Sequence, residues 1–338
     1  MRSPTITEIS QALGLDKSTV SRGLRGDPKV KQATRDKIHA YAEAHGYQRD
    51  PNLSALSEYR WRKQGERNLM NWGFLVPELG MHYEENQCML ALCKQFAHQA
   101  GYILNEIVVK PDMTTSVLNR ILYARNIRGM IVNHLYRPDT VAKLDFGQLN
   151  TKDTQWVYCG NFFFEPNGMR VVENTFKNTQ LVLEKIHESG YRRVGLVFPK
   201  FLRGSRDMVR CRAACLEFCC EYPETKIELI EVEDSLKVDH YRIQTNELDV
   251  MVLSYMVIRE KLPAGALALP YAVLQAPYLA QKASGVFRAL EEMALTATEL
   301  LDYQCRRINQ PHSVPPYTIL IEGKWQEGTS LFPGPRKL

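Results

Sequence analysis

The stretch TITEISQALGLDKSTVSR, from Thr5 to Arg22, decides the fold at the start of this 338-residue chain. Thr5 and Glu8 have the spacing of a capping box, in which hydroxyl and carboxylate each accept a backbone N–H, so a helix is predicted to begin there. Gly14 favours a left-handed stop after about two turns. Asp16 is a good N-cap for a second short helix. Two short helices joined by a turn that contains glycine predict a helix-turn-helix.

A third helix is predicted behind this pair. Val20 and Leu24 share one face of the second helix, and residues 32–45 have a helical apolar pattern around Ile38. The second helix would therefore present Lys, Ser and Arg side chains outward. A three-helix module that binds another protein through a solvated charged face has the same spacing, and it is the alternative at this point.

Charge divides the chain into a basic head and a neutral body. The whole chain has a formal charge of +5; residues 1–67 hold 13 Lys and Arg against 8 Asp and Glu, whereas residues 68–338 hold 30 of each. A small basic domain joined to a neutral one is typical of a nucleic-acid-binding head. A chance fluctuation of surface charge would give the same numbers, so the charge supports the helix-turn-helix without establishing it.

The quoted stretch resembles the head of the lactose-repressor (LacI) family of bacterial transcriptional regulators, above all in the string Ser-Thr-Val-Ser-Arg that ends at Arg22. In that family the second helix enters the major groove of DNA. The resemblance implies that bases are read by Lys17, Ser18 and Arg22. It also implies DNA backbone contacts by Thr5, Thr19, Ser21, Lys31 and Thr34. Lys31 is a departure, since the family usually has a capping Ser there.

The segment after the head resembles the hinge helix of the same family. It reads DPNLSAL, from Asp50 to Leu56. The resemblance implies that Leu56 wedges into the minor groove at the centre of the operator and bends the duplex. Residues 57–63 depart from the family pattern; an ordinary exposed helix end beside a linker is the alternative for them.

Strand and helix patterns alternate through the rest of the chain, which predicts doubly wound parallel sheets that bind ligands beyond the carboxyl ends of their strands. The body also resembles the periplasmic-binding-protein-like core of the LacI family. That resemblance implies one lobe of residues 69–161 and 287–315, a second of 162–286 and 316–338, and an effector cleft between them.

Cleft residues follow from the same resemblance. They are Asn133, Glu173, Arg210, Tyr255 and Tyr271. Tyr271 stands, by spacing back from a later helix, where the family has an Asp, and an expected Asn-Asp pair is missing near Tyr255. A sugar site relies on such polar groups, so we expect this cleft not to bind an ordinary hexose in the family's usual way.

Other features bound the function. The longest apolar run is far shorter than the roughly 20 residues that span a bilayer, and the start lacks a secretory signal, which favours the cytoplasm, with the nucleoid, and eight reduced cysteines. Cys211, Cys215 and Cys219 share a helical face and are predicted to be small buried hydrophobes rather than metal ligands. No catalytic, metal or cofactor motif stands out.

These observations predict an all-α helix-turn-helix head (1–49), a hinge and linker (50–68) and an α/β core of two doubly wound parallel-sheet lobes (69–338). The predicted function is a dimeric regulator, a repressor in the first instance, that binds a pseudo-palindromic double-stranded DNA operator. Its core would sense a small molecule, a sugar or related metabolite, or would have lost that site. An enzyme or an interaction protein with a vestigial head is the alternative. We predict no cofactor, no metal and no membrane partner.

Overall fold

The computed structural model describes most of the head and body. The described residues are 4–24, 30–45, 47, 70–80, 84–133, 144–145, 148–149, 154–160, 168–233, 239–276, 282–307 and 315–332. The hinge and linker, with the predicted minor-groove residue Leu56, lie outside them.

The head consists of three short helices, as the sequence predicts. They are α1 (Ile6–Leu13), α2 (Lys17–Gly23) and α3 (Gln32–Ala44). Both hydrogen bonds of the capping box at Thr5 are present, and Gly14 ends α1 in the left-handed conformation with φ 63°. Ile9, Val20 and Ile38, one from each helix, are completely buried against one another. This small core fixes which side of α2 faces outward.

The body alternates strands and helices. Its helices are α4 (Glu84–Gln99), α5 (Thr115–Ala124), α6 (Thr175–Glu188), α7 (Arg206–Glu221), α8 (Ala264–Leu267) and α9 (Leu290–Arg307). Its strands are β1 (Met70–Pro77), β2 (Tyr102–Val109), β3 (Ile127–Val132), β4 (Gln155–Cys159), β5 (Met169–Glu173), β6 (Arg193–Pro199), β7 (Lys226–Val232), β8 (Val250–Tyr255), β9 (Tyr271–Ala276), β10 (Ser284–Phe287), β11 (Thr318–Ile321) and β12 (Lys324–Gln326).

These strands form two sheets, each with helices packed on it. Over the described residues, the first sheet has the order β11-β5-β4-β3-β1-β2 and is parallel throughout. The second has the order β12-β10-β9-β8-β6-β7, with β12 antiparallel at its edge. Helices α4 and α9 cover one face of the first sheet, and α6 and α7 cover one face of the second. The predicted fold class is confirmed. None of the described helices combines the length and apolar character needed to cross a bilayer.

The predicted lobe boundaries need a correction. Strands β5 and β11 were assigned to the second lobe, but β5 pairs with β4, and β11 pairs with β5, so both extend the first sheet. The chain therefore crosses between lobes after Glu173, after Phe287 and after Ile321. Backbone bonds tie these crossings together: Asn174 N–H donates to the Ile321 carbonyl at 2.8 Å. Sequence patterns missed this because parallel pairing at a sheet edge joins segments distant in sequence.

Candidate functional sites in the head and the cleft

The outward side of α2 is the candidate DNA-reading surface. Lys17, Ser18 and Arg22 are its exposed residues, while Val20 and Gly23 are buried against the rest of the head. A β-carbon at Gly23 would lie only 2.4 Å from the Cδ1 atom of Ile38, so the close approach of α2 to α3 needs glycine there. The fold therefore presents on one surface the three residues that the family resemblance assigns to base reading.

The residues predicted to contact the DNA backbone surround this surface with varied exposure. Thr5 and Lys31 are exposed, whereas Thr19, Ser21 and Thr34 are half-buried. Thr5 Oγ1 accepts the Glu8 N–H at 3.3 Å, which leaves the hydroxyl proton to donate to an acceptor. Lys31 is the N-cap residue of α3 and makes no capping bond with its side chain. Its ammonium group is thus the feature that replaces a capping hydroxyl.

The carboxyl ends of both sheets meet at Arg288 in the body. Arg288 follows β10 of the second sheet, and its Nε donates to Oε1 of Glu173, the last residue of β5 in the first sheet, at 2.8 Å. Its Nη1 donates to Oε2 of Glu85, near the start of α4, at 2.5 Å. Arg288 and Glu173 are 8% and 5% exposed. This ion triad lies at the edge where ligands of doubly wound sheets bind.

A small pocket lies beside the triad. Asn133, directly after β3, donates from Nδ2 to Oδ1 of Asn86 at 2.8 Å, and Asn86 donates to the Gly80 carbonyl at 2.7 Å. With Glu85, Arg288 and apolar residues they line about 230 Å³ of empty space, including its open mouth. Small-molecule sites usually enclose about 300–1,000 Å³. In this conformation the pocket is smaller than a typical effector site.

Asp207 adds a buried carboxyl group to the same edge. It lies in the first turn of α7, 7% exposed, and accepts a hydrogen bond from the Thr175 hydroxyl at the start of α6. Burial raises the pKa of Asp207 to about 6. The hydrogen bond from Thr175 opposes that shift, and the charge of Glu173 adds to it. The positive charges of Arg210 and Arg288 also oppose it. The carboxyl edges therefore hold mutually interacting acids and arginines.

Replacing Asp207 by Asn is expected to change how stability depends on pH. An unfolded Asp titrates near 3.9 and the folded one near 6, so the folded protein binds more protons in between and loses stability as pH rises from about 4 to about 6. Asn keeps an acceptor for Thr175 and has no such loss. Relative to the unmodified protein, the variant should gain roughly 2–3 kcal/mol between pH 4 and pH 7. Urea unfolding across this range measures it.

The exposed Asp112 provides the matched control. Asp112→Asn should follow the unmodified protein at every pH. If Asp207→Asn also ran parallel to the unmodified protein from pH 4 to pH 7, the buried carboxyl would not have the raised pKa.

Four of the five predicted cleft residues lie at the carboxyl edges or on α7 beside them. Asn133 and Glu173 lie there as described, Arg210 is half-buried on α7, and Tyr255 is half-buried at the end of β8. Tyr271 does not: it begins β9, pairs with Met251 near the start of β8, and lies under the Arg259 guanidinium at 4.7 Å. The prediction that Tyr271 lines the cleft is corrected.

The structure points to residues that sequence reasoning missed. Gln275, opposite Tyr255, holds the position at the carboxyl end of β9 that Tyr271 was predicted to occupy. Arg288, Glu85 and Asp207 were not singled out at all. A usable signal existed for Arg288 and Gln275, because each stands at the carboxyl end of a strand, where ligand sites of this fold concentrate.

The cysteines of α7 lie as predicted in part. Cys211 and Cys215 are buried against the second sheet, Cys219 is half-buried and Cys220 is exposed. Within the described part of the chain, no three His, Cys, Asp or Glu side chains are grouped to hold a metal ion. The two inner cysteines act as small packing residues.

Comparison with known proteins identifies the head. Residues 5–50 match the model of the family described as bacterial regulatory proteins, lacI family. The HTH-type transcriptional regulator TreR of Escherichia coli strain K12 is 31% identical over 130 residues, which span 38% of this chain and 38% of TreR. The chain thus matches well under half the length of this curated relative. These matches are to regulators and not to enzymes.

Solved structures share the fold of the whole chain. The lac repressor dimer bound to operator and the anti-inducer ONPF aligns with a TM-score of 0.57 at 13% identity, covering 98% of this chain and all of that one. The complex of the transcriptional regulator CelR with cellobiose aligns with a TM-score of 0.56 at 14% identity, covering 97% and 99%. The chain therefore carries the helix-turn-helix head of the lacI family of bacterial regulatory proteins on a body with the two-lobed, periplasmic-binding-protein-like fold of solved regulators.

Proposed function

We propose that this protein is a transcriptional regulator that binds a pseudo-palindromic DNA operator as a dimer and represses from it. One observation carries the proposal: the exposed side of α2 consists of Lys17, Ser18 and Arg22, in a head that matches the lacI family. A protein with this role works beside the nucleoid, in the cytoplasm.

The chemistry of this surface suits the major groove. The Arg22 guanidinium can donate two parallel hydrogen bonds to O6 and N7 of a guanine, and Lys17 and Ser18 can bond neighbouring base edges. The hydroxyls of Thr5, Thr19, Ser21 and Thr34 and the Lys31 ammonium can bond phosphate oxygens, which sets the register without reading sequence. Two such heads on a twofold dimer would read half-sites about 34–36 Å apart, or a multiple of this.

Leu56 extends this proposal to the minor groove. It lies outside the described residues, so its role rests on the sequence DPNLSAL and its likeness to the family's hinge helix. An apolar wedge at that place would unstack a base step and bend the operator.

We further propose that the cleft between the lobes regulates DNA binding through a small molecule, or has lost that ability. Relatives support a sugar or a related metabolite: CelR is solved with cellobiose, and the lac repressor with an anti-inducer. Against an ordinary hexose stand the small pocket beside Arg288 and the Glu173–Arg288–Glu85 triad that fills the adjoining edge. A ligand would have to open the cleft or displace part of the triad.

Selection of bound sequences from a random DNA pool tests the proposal. We expect a pseudo-palindrome whose half-sites are one or more helical turns apart. The same selection is repeated with a panel of mono- and disaccharides, and we expect no common hexose to change the recovered sequences or their yield.

Two outcomes would contradict the proposal in different ways. Recovery of no shared sequence would favour an interaction protein with a vestigial head. A hexose that released the operator at micromolar concentration, in an Arg210-dependent manner, would contradict only the altered cleft.

A further inference from the structure

The solvent side of α7 carries a continuous apolar stripe. Val209, Ala213, Leu216 and Cys220 are exposed and lie at spacings of four, three and four residues, which place them along one line of the helix. Leu216 is 71% exposed and Val209 is 53% exposed. Single exposed apolar residues are ordinary on a protein surface, but a row of four at helix-packing spacing marks an interaction surface.

The opposite side of α7 already packs on the body. Met208, Cys211, Cys215 and Phe218 are buried against the second sheet. The helix is therefore apolar on two sides, which is the pattern of a helix buried on both. The fold covers one side, and the stripe needs a partner outside the chain as the structure describes it.

Charge along α7 indicates what that partner is. The first half of the helix carries Arg206, Arg210 and Arg212, and the last half carries the exposed Glu217 and Glu221. This order opposes the helix dipole, which favours acidic residues at the start of a helix and basic residues at its end. An antiparallel copy of the same helix would instead place each arginine-rich half beside a glutamate-rich half.

The stripe and the charges give the same register. If Val209 faces Cys220 of a second copy, then Ala213 faces Leu216 of that copy, so that small residues meet larger ones. The same register sets Arg212 directly opposite Glu217. Glu217 already accepts a hydrogen bond from Gln180 Nε2 at 2.6 Å, which holds its carboxylate at the rim of the stripe.

We propose that a second copy of this chain docks on α7, with the two α7 helices antiparallel about a twofold axis through the stripe. Such an interface is isologous, since each residue contacts the residue that contacts it in return. The contact uses no residue of the DNA-reading surface. Its test therefore uses the full chain without DNA, and it can fail or succeed independently of operator binding.

Disulfide trapping tests the register. Val209→Cys places a new thiol opposite the native Cys220 of the second copy, whereas within one helix the two positions lie about 16 Å apart, too far for a disulfide. Under mild oxidation at micromolar protein, we expect a disulfide-linked dimer on a non-reducing gel. Adding Cys220→Ser to the variant should abolish it.

Val117→Cys is the matched control, since Val117 is an exposed apolar residue on the separate helix α5. It should give no more linked dimer than the unmodified protein. If Val209→Cys gave no more linked dimer than Val117→Cys, the proposed interface would be overturned.

Charge reversal tests the same contact by a different readout. Arg212→Glu and Glu217→Arg, each alone, should weaken self-association on the order of tenfold in sedimentation experiments, because like charges then face each other. Combined in one chain, they should restore most of it, since the opposite pair is re-formed in reverse. Loss in the singles without recovery in the double variant, or no loss in either single, would contradict the proposed register.

Discussion

Replacing Arg288 by methionine is expected to lower the free energy of unfolding of the body by about 3–5 kcal/mol. The guanidinium is the only charge partner that the described contacts give to Glu173, which is 5% exposed. Methionine has a similar length but no charge, so the variant leaves the Glu173 carboxylate buried without compensation. Removing one member of a buried ion pair is costly for this reason. Urea unfolding of the full chain at pH 7 measures the loss.

Two further variants separate burial from charge. Arg288→Met combined with Glu173→Leu removes both buried charges and should recover most of the lost stability, because paired charges and apolar replacements are often nearly equal in stability. Lys324→Met is the matched control: Lys324 also pairs with a glutamate, Glu292, at 2.6 Å, but its side chain is 79% exposed. It should cost less than about 1 kcal/mol. A similar small loss for Arg288→Met would show that the triad is not a buried ion pair.

Much of the head could be predicted from the sequence because its signals are local. The capping box at Thr5 and the left-handed Gly14 act within four residues of their partners, and both are present in the structure. The same holds for the inward position of Val20, which follows from helical periodicity alone. This is why the exposed residues of α2 are also the ones that the sequence nominates.

The cleft was less predictable because its contacts join distant parts of the chain. Arg288 lies 115 residues from Glu173 and 203 from Glu85 in sequence, and no periodicity reports such a pairing. Tyr271 was placed by counting back from a later helix, which cannot show where a strand begins. Four residues of strand separate it from Gln275, about 13 Å. That distance carries a side chain from one edge of the sheet to the other.

Replacing Arg22 by alanine should weaken binding to the selected operator by about 1–3 kcal/mol, roughly 5–150-fold, if Arg22 reads a guanine through two hydrogen bonds. Binding to random DNA should change far less, because nonspecific affinity comes from many phosphate contacts of which Arg22 would supply at most one. Arg22 is exposed on α2, whereas the docking of that helix rests on Val20 and Gly23, so the head should stay folded. Titration of both DNAs at one fixed salt concentration gives the two affinities.

Two controls distinguish base reading from simple loss of charge. Arg22→Lys keeps the positive charge but not the planar fork, so it should retain nonspecific affinity while losing part of the preference for operator. Arg120→Ala removes an exposed arginine from α5 in the body and should leave both affinities unchanged. Equal losses on operator and random DNA for Arg22→Ala, with full recovery in Arg22→Lys, would assign Arg22 to phosphate instead. Specificity would then have to come from Lys17, Ser18 and the shape of the bent operator.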